Sequence, residues 1–392
     1  MNLMNKQEKE QIAASIQQKF IELFQTRPLL VQSPGRINLI GEHTDYNKGY
    51  VLPAAIDKVT VVAAQQRSDN FINVYAADLE AMVEADLSQE LLPAHNWSDY
   101  VLGIVQQFVR LGLPVKGFNL VFGGNVPLGA GVSSSAALEC AVAFALNELF
   151  QTNLTTLQMV KLAQKAENEF VGVNCGIMDQ FASMFGKKNR VLKLDCNNLE
   201  YEPVPFEMDE FKIVLLDTNV KHSLGSSEYN VRRSQCEEGL HLLNQAFPDL
   251  HNLRDASLEQ LNQVLLPKST VLYNRCRYVM EENNRLLDAC HQLHHNNMRA
   301  FGELMYGSHK GLSGLYEVSC PELDFLIEQV RPVSEVYGAR MMGGGFGGCT
   351  INLVKSQAVE ALIESVGTAY QQHTGKTMQA YIVQIGNGTS LL

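Results

Sequence analysis

Gly123-Gly124-Asn125-Val126-Pro127-Leu128-Gly129-Ala130-Gly131-Val132-Ser133-Ser134-Ser135-Ala136-Ala137-Leu138 is the stretch on which the reading turns. Just before it, Phe118, Leu120 and Phe122 alternate with polar or small residues, the period of a half-buried strand. After it, residues 134–150 are rich in Ala and Leu and predict a helix. Gly129 and Gly131 permit close backbone approach, because no Cβ holds a ligand away. Three serines then open the helix. A helix N-terminus offers unpaired N–H groups and the positive end of the dipole, so an anion is stabilised there. Serine hydroxyls add donors and can ligate Mg²⁺. The loop lacks the Lys of G-x-x-x-x-G-K-[ST]. Ser134 stands where a dinucleotide fingerprint needs its last Gly. A phosphate cradle and a plain linker with a Ser N-cap both fit these residues.

Outward from this stretch, residues 7–24 carry Ile12, Ile16, Phe20, Ile21 and Phe24 at helical spacing. Residues 29–32 predict a short strand, and 33–53 read as polar and turn-rich. Residues 58–64 and 71–75 predict strands, and 97–111 a helix. Further helices are expected over 155–170 and 178–185, with strands over 190–195 and 211–217. Beyond Ser226 the pattern becomes mostly helical as far as Val330. Strands are expected at 337–342, 350–354 and 380–384, with a helix at 357–372 between the last two. This mixture predicts an α+β fold rather than regular β-α-β alternation. The polar stretch 197–205 is read as a junction, which gives an N-terminal domain over 1–205 and a C-terminal domain over 206–392.

A chain of 392 residues fits two or three domains at about 150 residues each. With 46 % hydrophobic and 19 % charged residues it is no disordered chain. Lys+Arg 31 against Asp+Glu 42 leaves a net charge of −11, which argues against general nucleic-acid or anionic-membrane binding. A local phosphate site built from backbone N–H groups is still allowed. The N-terminus lacks an apolar signal core, and no run of about 18 apolar residues occurs. The 8 cysteines are widely spaced with no C-x-x-C pair. They read as reduced thiols, and a cytoplasmic protein is expected.

Other segments carry candidate chemistry. Gly343-Gly344-Gly345-Phe346-Gly347-Gly348 formally contains G-x-G-x-x-G, but a strand follows it, so a turn is expected rather than a dinucleotide site. Its glycines exceed what a turn needs, and close approach to a ligand or another backbone would explain them. PGRINLIGEHTDY (34–46) packs Arg36, Glu42, His43 and Asp45 beside apolar Ile37, Leu39 and Ile40. A polar cluster on a buried segment is costly unless paired or used. Asp179, amid Ile177, Met178 and Phe181, is a candidate base or metal ligand. Its plainer reading is a carboxylate at a helix N-terminus, and for Glu167 a solvated helix face. Cys290, His291, His294 and His295 share one helical stretch without a second ligand pair, so zinc is not expected. Arg232-Arg233 reads as solvated or paired to Glu237 and Glu238.

Together these segments resemble the GHMP small-molecule kinase family, and within it the branch that phosphorylates galactose. PGRINLIGEHTDY (34–46) is similar to that branch's sugar signature. PLGAGVSSSAAL (127–138) is similar to the family's ATP-phosphate loop, and GGGFGGC (343–349) to its third motif. NCGIMDQ (174–180) adds a fourth match. The resemblance implies an α+β, two-domain GHMP kinase fold with the active site between the domains. It implies ATP and Mg²⁺, and transfer of a phosphoryl group to the C1 hydroxyl of D-galactose. Glu42, His43, Thr44, Asp45, Gly176, Asp179 and Tyr229 would bind the sugar. Gly129, Ala130, Gly131, Val132, Ser133, Ser134 and Ser135 would wrap the phosphates, with Trp97 and Tyr100 near adenine. Ser135 and Glu167 would hold Mg²⁺. Asp179 would take the proton of the attacking hydroxyl, with Arg36 paired to it. Small molecules rather than nucleic acid or membranes are the expected partners, and a monomer is expected. A kinase for another sugar such as N-acetylgalactosamine, and a galactose- and ATP-binding regulator without turnover, are the alternatives.

Overall fold

The computed structural model describes residues 2–220 and 225–392. Helix α1 (Asn2–Phe24) precedes strand β1 (Leu29–Asn38). Then come β2 (Tyr50–Val51), β3 (Pro53–Gln66), β4 (Phe71–Ala76), β5 (Ala81–Asp86), α2 (Asp99–Arg110) and β6 (Phe118–Gly124). The helices α3 (Ser134–Phe150), α4 (Thr156–Ala166) and α5 (Met178–Phe185) follow. Strands β7 (Arg190–Asp195), β8 (Tyr201–Pro205) and β9 (Phe211–Asp217) lead to the helical stretch. That stretch holds α6 (Gly225–Ala246), α7 (Leu258–Val264), α8 (Thr270–His294), α9 (Met298–Gly311) and α10 (Pro321–Val330). The chain closes with β10 (Val336–Met341), β11 (Cys349–Lys355), α11 (Val359–Thr374), β12 (Gln379–Val383) and β13 (Ser390–Leu391).

The strands form a six-stranded sheet ordered β13-β1-β3-β6-β4-β5, a four-stranded sheet ordered β10-β11-β9-β12, and a three-stranded sheet ordered β2-β7-β8. The fold is thus α+β, as expected. The six-stranded sheet is covered on both faces. Val62 and Ala64 of β3 enter a core with Val105, Leu146 and Phe181, while Val59, Val61 and Ala63 enter a second core under Ile16 and Phe20 of α1. This corrects the half-buried reading of β6. Its alternation is real, but α1 covers the face that would otherwise meet water, so Val121 is buried as fully as Phe118 and Leu120.

A third core joins the two larger sheets. Ile37, Leu39 and Leu52 pack in one cluster with Ile213, Leu215, Phe301 and Ile351. Burying each such side chain stabilises the fold by about 1.5–3 kcal/mol. Residues on either side of this shared core are therefore held in register with each other. The chain end adds to the tie, since β13 pairs with β1 (Val31 opposite Leu391).

Residues 33–53 are not simply turns. Strand β1 runs on to Asn38, and its pairing with β3 shifts between Pro34 and Arg36, where β3 carries the extra residues: Ile56, Asp57 and Lys58 stand opposite Gly35 alone. Strands β5 and β8 were not legible in the sequence. β8 lies in the stretch read as a junction and carries Pro203 and Pro205, which an edge strand tolerates because it need not donate on its outer side.

Candidate active site

Beside this register shift the Arg36 N–H donates to Val132 O at 2.9 Å. A Cβ on Gly35 would lie 2.7 Å from that same carbonyl, so glycine is required for the approach. The Arg36 guanidinium then reaches Gly131 O and both oxygens of Asp179, from Nε to Oδ1 and from Nη2 to Oδ2, each at 2.8 Å. This parallel fork is the strong form of an arginine–carboxylate pair. The Ser133 hydroxyl also donates to Asp179 Oδ2. Asp179 itself stands in the first turn of α5 and is half-buried.

Asp179 opens into a cavity of about 560 Å³. Arg36, Glu42, His43, Asp45, Glu167, Gly176 and Tyr229 line it with Asp179, and the Gly343–Gly345 backbone closes one side. Residues from four stretches of the chain, 36–45, 167–179, 229–230 and 343–345, thus converge on one space. Thr44 is the exception among the expected sugar residues. It is fully buried, and its hydroxyl donates to Gly41 O (2.8 Å) and Tyr50 O (2.5 Å), closing the loop rather than facing the cavity. A Cβ on Gly176 would fall 1.8 Å from the Asp45 carboxylate, so a side chain here would displace Asp45.

Burial pushes the Asp45 carboxyl up to about 7, and the charge of Asp179 adds to the shift. Burial lowers the His43 ring to about 3, so this histidine is neutral. Its Nδ1 is 2.7 Å from the Tyr46 hydroxyl, which in turn lies 2.9 Å from that of Tyr316. Tyr229 packs its ring 5.4 Å from His43, and burial raises its phenol well above the usual range. One wall is therefore apolar and aromatic while the facing groups are acids.

Glu167 is buried, which removes the solvated-face reading. It lies where α4 gives way to a single π-turn, Glu167–Val171. Ser135 hydrogen-bonds it, Gln180 Nε2 donates to it at 2.6 Å, and the same nitrogen donates to Glu139 at 3.0 Å. Burial raises both carboxyls, helped at Glu139 by the charge of Glu167 and at Glu167 by that of Asp179. Among the described residues, Glu139 Oε1 is buried without a hydrogen-bond partner.

The glycine-serine loop holds Gly129 (φ 77°), Gly131 (φ 71°) and Ser133 (φ 58°) in left-handed backbone. Ala130 and Val132 bury their side chains in the core shared by the sheets, so only their backbone is left for a ligand. Ser133 precedes α3 without a side-chain cap, because its left-handed backbone (φ 58°, ψ 59°) is not the extended one a capping residue uses, and its hydroxyl donates to Asp179. The plain Ser N-cap reading is thereby overturned, and the first turn of α3 has no acidic residue and no side-chain cap. Ser134 lines a second, mostly apolar cleft of about 180 Å³ together with Trp97, Tyr100 and Phe122. Ser133 thus bonds Asp179, which lines the cavity, while the adjacent Ser134 lines the cleft. The start of α3 stands at the junction between the acid-lined cavity and the apolar cleft.

The second glycine cluster is a turn from β10 to β11, and close approach explains its excess of glycine. Gly343 lies against Gly131, and a Cβ on Gly345 would sit 2.1 Å from Val318 O. Arg232 corrects another reading. It is buried rather than solvated and bonds Tyr316 O and Glu317 O at 2.8 Å. Arg340 was missed altogether. A lone Arg in an apolar strand is the signal, because a buried charge must find a partner.

Sequence models of three domains match this chain. The GHMP kinases N terminal domain covers residues 99–187, the GHMP kinases C terminal domain 286–372, and the galactokinase galactose-binding signature 18–66. The chain belongs to the GHMP kinase family. It is 42 % identical over 358 residues to the galactokinase of Thermotoga petrophila, covering 91 % of this chain and 98 % of that one. It is 39 % identical over 376 residues to that of Roseiflexus, covering 95 % of each. A crystal structure of Lactococcus lactis galactokinase complexed with galactose matches with a TM-score of 0.92 and 40 % identity, over 97 % of this chain and 99 % of that one. Within the family, therefore, the chain is one of the galactokinases. Mevalonate kinase from Methanococcus jannaschii matches at TM-score 0.66 and 18 % identity over 92 % of this chain and 99 % of that one, a shared fold.

Proposed function

We propose that this chain transfers the γ-phosphoryl group of ATP to the C1 hydroxyl of D-galactose, giving α-D-galactose 1-phosphate and ADP. One observation carries the reading. Asp179, gripped bidentately by Arg36, stands where the acid-lined cavity meets the uncapped start of α3. The sugar would occupy the cavity, held by Glu42, His43, Asp45, Gly176 and Tyr229. Thr44 would shape the loop that presents them. The triphosphate would lie on Gly129–Ser135, where free N–H groups and the helix dipole stabilise negative charge. The apolar cleft at Trp97 and Tyr100 suits a flat adenine ring.

In the reaction the sugar's C1 oxygen attacks the γ-phosphorus as the bond to the β,γ-bridging oxygen breaks. Asp179 accepts the hydroxyl proton, and ADP leaves with the bridging oxygen. Arg36 fixes the carboxylate and places positive charge beside the developing phosphoryl charge. Positioning and charge stabilisation account for most of phosphoryl-transfer catalysis, so this inventory suffices. Ser135 and Glu167 offer hard oxygen donors to Mg²⁺, and the buried acids Glu139 and Glu167, without cationic partners among the described residues, suit a cation. When bound, Mg²⁺ neutralises phosphate charge.

We place the two family domains at 1–205 and 206–392, with the protein acting as a cytoplasmic monomer. The 8 cysteines are free, the state that a reducing compartment maintains. Among the described residues no helix is long and apolar enough to cross a membrane. ADP release measured across a sugar panel tests the function. Galactose should give the highest kcat/KM. A preference for N-acetylgalactosamine would change the substrate, and binding of both ligands without ADP release would make the chain a regulator.

A further inference from the structure

Arg340 is fully buried in β10 of the four-stranded sheet, yet its guanidinium ends in the sugar signature of the other sheet. Nη2 donates to Glu42 Oε2 and to Asn38 O, each at 2.5 Å, and Nε donates to Leu39 O at 2.8 Å. Nη1 donates to Met341 O at 2.6 Å, so every nitrogen of the group is engaged. Asn38 Nδ2 adds a second donor to Glu42 Oε2 at 3.2 Å. Tyr278 of α8 holds the Glu42 carbonyl through its hydroxyl at 2.9 Å. Glu42 lines the cavity while being only 3 % exposed.

We infer that Arg340 is a positioning residue for sugar recognition, which occupies one Glu42 oxygen from the core side so that Oε1 alone is presented to a sugar hydroxyl. This rests on the sugar-kinase reading and deepens it. A carboxylate free to rotate would offer either oxygen and would have to be ordered when the ligand arrives, at an entropic cost. Here the ordering is built into the fold. Because Arg340 also grips the carbonyls of Asn38 and Leu39, the four-stranded sheet sets the height of the signature loop. Lysine cannot reproduce this, since a point charge lacks the planar fork that reaches Glu42 and two carbonyls together.

The test compares R340K, E42Q and the R340K/E42Q double variant in the full chain, with KM for galactose and for ATP measured separately. R340K should raise KM for galactose about ten-fold or more with KM for ATP within about two-fold, the signature of lost sugar binding. On the E42Q background R340K should add clearly less than it does alone, because the Glu42 contact is already weakened and only the carbonyl contacts remain to be lost. An unchanged galactose KM, an equal rise in both KM values, or effects that multiply would each overturn the inference. Should R340K fail to fold, R340M/E42Q replaces the buried pair by neutral groups. This variant should bind a non-hydrolysable ATP analogue normally and galactose about ten-fold more weakly. Galactose binding as in the parent, or failure of both Arg340 variants to fold while E42Q folds, would also overturn it. A parent protein that does not phosphorylate galactose refutes the kinase reading instead.

Discussion

Glu42 and Asp179 each meet an arginine, whereas half-buried Asp45 and buried Glu139 and Glu167 stand at or behind the same cavity with none in ion-pair contact among the described residues. The first two carboxylates have their geometry fixed before any ligand arrives. The other three carry a desolvation cost that raises each carboxyl, and a ligand donating hydrogen bonds or positive charge would relieve it. The contrast divides the work. Arginine-held acids define where the reacting oxygen goes, and unheld acids make binding favourable.

The sharpest way to break this comparison is at the held pair. Asp179→Asn should lower kcat by about 10³-fold or more while binding of an ATP analogue stays within about two-fold. Retained turnover would remove Asp179 from the chemistry. Arg36→Lys should follow with a loss of about 10²-fold in kcat, because lysine keeps the charge but not the two parallel bonds. An unchanged kcat would mean that charge alone suffices.

The unheld set predicts smaller effects with a distinct pH signature. Asp45→Asn should weaken galactose binding about ten-fold at pH 8. In the parent, galactose affinity should rise as pH passes about 7 and Asp45 becomes a carboxylate acceptor, and the variant should lose that rise. Stability runs the other way. The folded protein keeps a proton that the unfolded chain releases near 3.8, so Asp45 costs the apoprotein stability progressively from there to about 7. Asp45→Asn should therefore raise Tm at pH 8 by ~1–3 °C, read by calorimetry without ligands. A fall in Tm would show that burial does not burden this group. Trp97→Ala, outside both sets, should raise KM for ATP about three- to ten-fold and leave that for galactose unchanged. Equal changes in both would place the nucleotide elsewhere.

Much of this was legible in the sequence, and the reasons are local. Helix α3 begins at Ser134 as its pattern predicts, and strand β9 matches its predicted span, because long periodic runs state their own geometry. Burial of Ile37, Leu39 and Ile40 beside polar neighbours announced the signature segment. What stayed hidden depends on distant parts of the chain. Nothing near Ser133 says that its hydroxyl will bond Asp179 rather than cap its own helix, since 46 residues separate them. Pro34-Gly35 resembles a turn until β3, which carries the extra residues of the register shift, is in place beside it. The tie from Arg340 to Glu42 spans 298 residues, and only the packing of two sheets on one core brings it about.

The central claim is that Asp179 stands at the meeting point of sugar and triphosphate. A crystal structure with galactose and a non-hydrolysable ATP analogue tests it most directly. The account predicts the Asp179 carboxylate within about 3 Å of the sugar's C1 oxygen, with the terminal phosphate facing that oxygen from the start of α3. A nucleotide bound away from Ser133–Ser135, or a C1 oxygen out of reach of Asp179, would contradict it.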